Sequence, residues 1–150
     1  MSEAERAHLA RNAGELARLR GLGSRLLAGE LPSELTGGWT PSAVFAHLAF
    51  WDRLVLARWD LYVRDGVIES LPDSHMDLVN AAGLPLWLAL PPAAAVAQAI
   101  EAAGEVVERI AALSPAAVEA ALTTGRRAML DRTFHWTSHL DELAGLPPPR

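Results

Sequence analysis

Near the end of the chain, Phe134-His135-Trp136-Thr137-Ser138-His139-Leu140 sets two histidines four residues apart. On a helix that spacing stacks two rings one turn apart on one face, so both can reach a common point. The chemistry this suggests is a shared metal ion, because neutral imidazole is the commonest nitrogen ligand. A third histidine, His47, lies far upstream in another strongly helical segment. Three imidazoles from two helices leave one position of a tetrahedral ion open to water or substrate, as in catalytic rather than structural zinc sites. His47, His135 and His139 are therefore the expected ligands of one divalent metal. Zinc suits the donor set, and nickel, iron or manganese also accept it. The competing reading is three unrelated helix residues, packed or wet. Burying three imidazoles without partners costs free energy, and a metal removes that difficulty.

Other polar side chains fall where they could serve such a site. Asp131 precedes His135 by four residues, Glu142 follows His139 by three, and Asp52 follows His47 by five. Metal-bound imidazoles usually donate their other N–H to such carboxylates; the alternative for each is an ordinary solvent-facing charge. Asn80 is a candidate polar positioner or a plain helix residue. Trp51 could line a pocket, although Trp51 and Trp136 at helical spacing are more commonly core. Arg58, Arg126 and Arg127 could bind a substrate carboxylate or be solvated. His8 reads as a surface residue and His75 as part of a loop.

The elements that must position these groups are helical. Ala and Leu dominate, 51% of the 150 residues are hydrophobic, and runs of β-branched residues are missing, so the expected class is all-α in a single domain. Helical periodicity runs from the N-terminus to about Gly29, with Gly14, Gly21 and Gly23 marking a bend or a close helix contact. Thr40-Pro41 supplies a cap and a first-turn proline for a second helix that stops at Asp65-Gly66. Its stripe of Val44, His47, Leu48, Trp51, Leu54, Val55 and Arg58 faces inward. Phe45, Phe50, Leu56 and Trp59 make it apolar on more than one face, as at a core or a subunit interface, and with the apolar Leu84–Leu90 segment they are the expected faces of a homodimer. A short helix is expected over Met76–Leu84, with Pro85 bending or breaking the apolar stretch beyond it. Leu90-Pro91-Pro92 opens a third long helix to about Leu113, and Ser114-Pro115 caps a short one to Leu122. The last helix is expected from Arg126–Ala128 to Gly145, before a Pro-rich tail. Four long helices make a four-helix bundle the natural architecture, with ligand sites between facing helices.

Net charge is −5 and no basic stripe emerges, which argues against a nucleic-acid partner. The absence of Cys fits a reducing, cytoplasmic setting. No export signal is visible, and the apolar run from Ala81 to Ala97 is interrupted by Pro85, Pro91 and Pro92, so no membrane span is expected.

The series Gly38-Trp39-Thr40-Pro41, then His47-Leu48-Ala49-Phe50-Trp51-Asp52, then His135-Trp136-Thr137-Ser138-His139-Leu140 resembles the DinB/YfiT-like superfamily. That group includes DinB-like proteins, the metal-binding domain of mycothiol-dependent maleylpyruvate isomerase and the bacillithiol transferases. Asp77 and Asn80 look like a polar pair found in some members. The resemblance implies an up-down-down-up four-helix bundle, often dimeric, with a divalent metal on His47, His135 and His139. It also implies use of a low-molecular-weight thiol such as mycothiol or bacillithiol against a small-molecule electrophile. The chain is too short to include the extra C-terminal domain of the isomerases. The leading expectation is thus a metal-dependent thiol S-transferase or a related detoxification enzyme. The alternatives are a metal hydrolase using bound water and a helical scaffold without catalysis.

Overall fold

A computed structural model describes residues 2–147, the side chains of Ala4 and Glu5 excepted. Pro148–Arg150, most of the expected Pro-rich tail, lie outside the described residues. The described chain is all-helical: α1 (Glu3–Leu27), α2 (Pro41–Asp65), α3 (Asp73–Leu88), α4 (Pro92–Ala111), α5 (Pro115–Thr123) and α6 (Thr133–Leu143), with 3-10 turns at Thr36–Gly38 and Arg127–Met129.

The ends of α2 and the start of α5 follow from local chemistry. The Thr40 hydroxyl accepts the Ala43 N–H at 3.2 Å, and Pro41 fills the first turn, where its missing donor costs nothing. Gly66 ends α2 in the left-handed region at φ 70° and donates its N–H to the Tyr62 carbonyl. Ser114 repeats the cap for α5, accepting the Ala117 N–H at 3.2 Å.

The most extensive packing is α2 on α4; α1 packs on α4 and α6, and α2 also meets α3 and α6. The buried face of α4 is mostly small, with Ala95, Ala99, Ala102 and Ala103, and so brings its neighbours close. Gly23 shows how close: a Cβ there would stand 2.8 Å from Val96 Cγ1. The helix contact expected from the glycines of α1 thus falls on Gly23 alone, since Gly14 and Gly21 face open space.

Four expectations need correction. The segment expected to be a short helix is one continuous α3 that begins at Asp73, takes in His75, and passes through Pro85 to Leu88. Pro85 cannot pair with the Ala81 carbonyl, but both residues lie on the exposed side, where water can serve that group. The last helix starts at Thr133, not near Arg126, because the residues before it give their backbone groups to distant side chains. Asn12 Nδ2 donates to the Leu130 carbonyl and Asn12 Oδ1 accepts the Arg132 N–H, both at 2.8 Å. His8 is buried rather than solvated. Finally, the apolar surplus of α2 is absorbed by this chain's own core: Phe45, Leu56 and Trp59 are buried, leaving only Phe50 exposed among the four α2 residues that suggested a dimer face, whereas Leu86, Leu88 and Leu90 of the Leu84–Leu90 segment are exposed. The outstanding exposed apolar side chains on α3 are Leu78 and Leu86. No helix among the described residues is long and apolar enough to cross a membrane.

Candidate metal centre

The inward stripe of α2 carries His47, and the first turns of α6 carry His135 and His139 one turn apart. The packing of α2 against α6 brings the three rings together. Ring centroids lie 5.0 Å apart for His47–His135, 4.8 Å for His47–His139 and 5.0 Å for His135–His139. One nitrogen of each ring lies within 4.8 Å of the corresponding atoms of the other two, so the cluster could hold a metal ion. His47 is buried, and the other two are half-buried.

The protonation of these rings follows from their surroundings. Burial, reinforced by His139, lowers the His47 pKa to about 3. Burial, followed by the charge of Arg132 and by His47 and His139, lowers that of His135 to about 2. Burial also lowers that of His139. All three are neutral near pH 7, the form that binds metals.

The donor set passes a direct test of fit. His47 Nε2 and His135 Nε2 face each other at 3.0 Å. Without an ion, one of the two must carry a proton for the other to accept. His47 Nδ1 is buried with no hydrogen-bond partner. A cation held by these residues would take up the two facing Nε2 lone pairs, which is where the fit lies; it would leave His47 Nδ1 without a partner.

The surrounding shell differs from the expected row of carboxylates. Asp52 does not touch His47. It is fully buried and accepts Arg132 Nε and Nη2 on Oδ1, each at 2.8 Å, and Trp136 Nε1 at 3.0 and 3.1 Å. Burial pushes the Asp52 carboxyl up, against the pull of Arg132 and of these donors. Arg132 also donates to the Ala128 carbonyl, and its Nη2 lies 3.5 Å from His135 Nδ1. The residue beside His135 is therefore an arginine, held in place by Asp52. Asp131 is turned away from His135: it binds Arg11 at 2.6 and 2.8 Å and accepts the Thr133 N–H at 3.1 Å, at the start of α6. Exposed Glu142 and half-buried Asn80 line the cavity beside the histidines, and Asn80 Oδ1 accepts Trp51 Nε1 at 2.9 Å. Asp77, Arg126 and Arg127 do not line it, whereas Arg58 does.

That cavity has a volume of about 580 Å³, and His47, His135 and His139 form part of its wall. Trp39, Trp51 and Trp87 surround His47, with ring centroids 5.2, 6.3 and 5.0 Å away. Trp87 reaches this place because Gly83, one turn earlier on α3, has no side chain: a Cβ there would stand 2.5 Å from the indole. Sequence reasoning missed Trp39, Trp87 and Arg132 as site residues. Arg132 had a legible signal, three positions before His135 on what becomes the same face.

Comparison of the chain with models of protein families, with curated proteins and with solved structures finds no match.

Proposed function

We propose that this protein is a divalent-metal-dependent enzyme whose His47, His135 and His139 hold one ion, with zinc favoured by the donor set. Its activity is that of a thiol S-transferase or a related detoxification enzyme. The fold is read as a DinB/YfiT-like bundle in which α1, α4, α2 and α6 pack in a closed ring. The observation that carries the proposal is the convergence of three neutral imidazoles on the wall of a cavity large enough for a small organic substrate.

An ion held by His47, His135 and His139 would supply Lewis acidity, which would favour deprotonation of a thiol. The protein's own side chains bind and orient. Asp52 fixes Arg132 and Trp136, and through them the turn of α6 that presents His135. Asn80 fixes the indole of Trp51, and Val44, Leu54 and Val55 give the electrophile an apolar wall. Two tests decide the reading. Protein purified without an affinity tag should contain close to one ion per chain, with less in each His→Ala variant. Cobalt-substituted protein titrated with small thiols should develop a saturating sulfur-to-metal absorption band that is missing in His47→Ala. Full metal occupancy with no band for any thiol would overturn the transferase assignment.

A second reading, a hydrolase, is favoured by Glu142, whose carboxylate lines the cavity one turn beyond His139 and could take a proton from an attacking water. Turnover without added thiol would select it. The proposal also includes a homodimer, resting on the expected Leu84–Leu90 segment, where Leu86, Leu88 and Leu90 are exposed, together with the exposed Leu78 of α3, and no longer on α2. Light scattering that gives the monomer mass at all concentrations would remove that part.

A further inference from the structure

Arg58 lies on the same face of α2 as His47, with Trp51, Leu54 and Val55 between them, and all five line the cavity. The two are eleven positions apart, about 16 Å along the helix axis. The guanidinium is anchored from one side: Nε donates to the backbone carbonyl of Glu69 at 3.0 Å, and Nη2 donates to the same oxygen. No carboxylate of the described residues pairs with it within 4.0 Å. The other arginine on the cavity wall, Arg132, has its charge taken up by Asp52. Arg58 therefore carries the one cationic charge on this wall that is not ion-paired among the described residues, in a lining that is otherwise mostly apolar.

The electrical surroundings agree with that geometry. Burial lowers the pKa of Arg58, the charges of Arg126 and Arg132 lower it further, and the Glu69 carboxylate offsets this least of the four. An anion brought to Arg58 would relieve the repulsion from the other two. The carbonyl of Glu69 holds the guanidinium in place while leaving donors of its planar fork free, the arrangement that suits two-point binding of a carboxylate. Between this cation and His47 on α2, Trp51, Leu54 and Val55 offer apolar surface and no charge, and Leu71 and Met76 add apolar lining to the same cavity.

We propose that Arg58 anchors the carboxylate of an elongated, apolar acid whose body lies along this wall and whose far end reaches the three histidines. The proposal deepens the functional reading above and rests on it only for what happens at that far end. It gives the substrate as a medium-chain or aryl-alkyl carboxylic acid rather than a cation or a neutral hydrocarbon.

The test is calorimetric titration of the full chain with octanoate, octan-1-ol and octylammonium. Octanoate should bind more tightly than either of the others. Arg58→Gln should weaken octanoate about tenfold or more, the scale of a lost charge-assisted hydrogen bond, while Arg58→Lys retains part of the affinity. Octan-1-ol should bind wild type and Arg58→Gln alike, which also reports that the variant's cavity is intact. Equal affinity for octanoate and octan-1-ol in the wild type would overturn the proposal, whether or not the variants fold, and so would octanoate binding unchanged by Arg58→Gln. Repeating the titration after chelation separates this site from the metal centre. Binding that survives chelation and still depends on Arg58 supports the anchor even if the protein proves to hold no ion. Binding abolished by chelation alone would mean that the carboxylate sits on the metal, and would overturn the anchor while leaving the metal centre standing.

Discussion

Asp52 has no exposed surface and receives both Arg132 and the Trp136 N–H, so its charge is matched on every side. Removing one member of such a buried pair strands the other. Asp52→Asn should therefore destabilise the protein by about 3–5 kcal/mol in denaturant unfolding. The same change frees Arg132 beside His135 and should weaken metal binding by roughly 10- to 100-fold, the usual range for groups that orient a ligand. The histidines give a pH prediction for the metal-free protein. Their folded pKa values are depressed, to about 3 for His47 and about 2 for His135, whereas in the unfolded chain they lie near 6.5. Above that value both states are neutral and nothing is lost. As pH falls below it, the unfolded chain takes up protons that the folded chain refuses. Stability should then decline by up to about 1.4 kcal/mol per pH unit for each histidine, down toward the folded values. Unfolding midpoints flat from pH 6.5 to 4 in the metal-free wild type would contradict this, and His47→Ala should show a shallower slope.

At the scale of elements, the chain is legible where the signal is local and opaque where partners are distant. Thr40-Pro41 and Ser114-Pro115 start helices as read, because a cap and a first-turn proline act within four residues. The start of α6 could not be read that way: Asn12, on α1, takes the backbone of Leu130 and Arg132 from across the fold. Asn12→Ala should cost about 1–3 kcal/mol by leaving both groups buried and unsatisfied. It should also loosen the segment that positions His135, a change visible as faster amide exchange over Leu130–Thr133. Gly83 gives a second element-scale prediction. Ala is the better helix former by about 1 kcal/mol, yet its methyl would collide with Trp87. Gly83→Ala should displace that indole from His47, and a crystal structure of the variant with Trp87 unmoved would refute the role assigned to the glycine.

For the whole molecule, the all-helical class and the three converging histidines were readable because spacing on one face survives any packing that brings the helices together. The identity of the surrounding groups was not, because Asp52, Asp131 and Arg132 choose partners up to 120 residues away. The α2 part of the expected dimer face went astray for a related reason: a helix apolar on several sides is as well explained by burial against α3, α4 and α6 as by a second copy. Metal binding should couple to the stability of the entire fold, since its ligands come from two helices. Zinc at a hundred times its dissociation constant should raise unfolding free energy by about 2.7 kcal/mol, and a chelator should remove that gain. Identical melting with and without chelator would argue against a bound ion.

The indoles around His47 have an optical consequence. Trp39, Trp51 and Trp87 stand within 6.3 Å of that ring, centroid to centroid, and they are three of the chain's five tryptophans. Three of the five indoles thus stand beside the place where an ion would bind. An open-shell cation such as cobalt or nickel drains excited indoles at such range, whereas closed-shell zinc does not. Titration with cobalt should darken the protein in proportion to loading, and zinc should restore the light as it displaces cobalt. The indoles would then serve as a label-free gauge of any metal the three histidines take up.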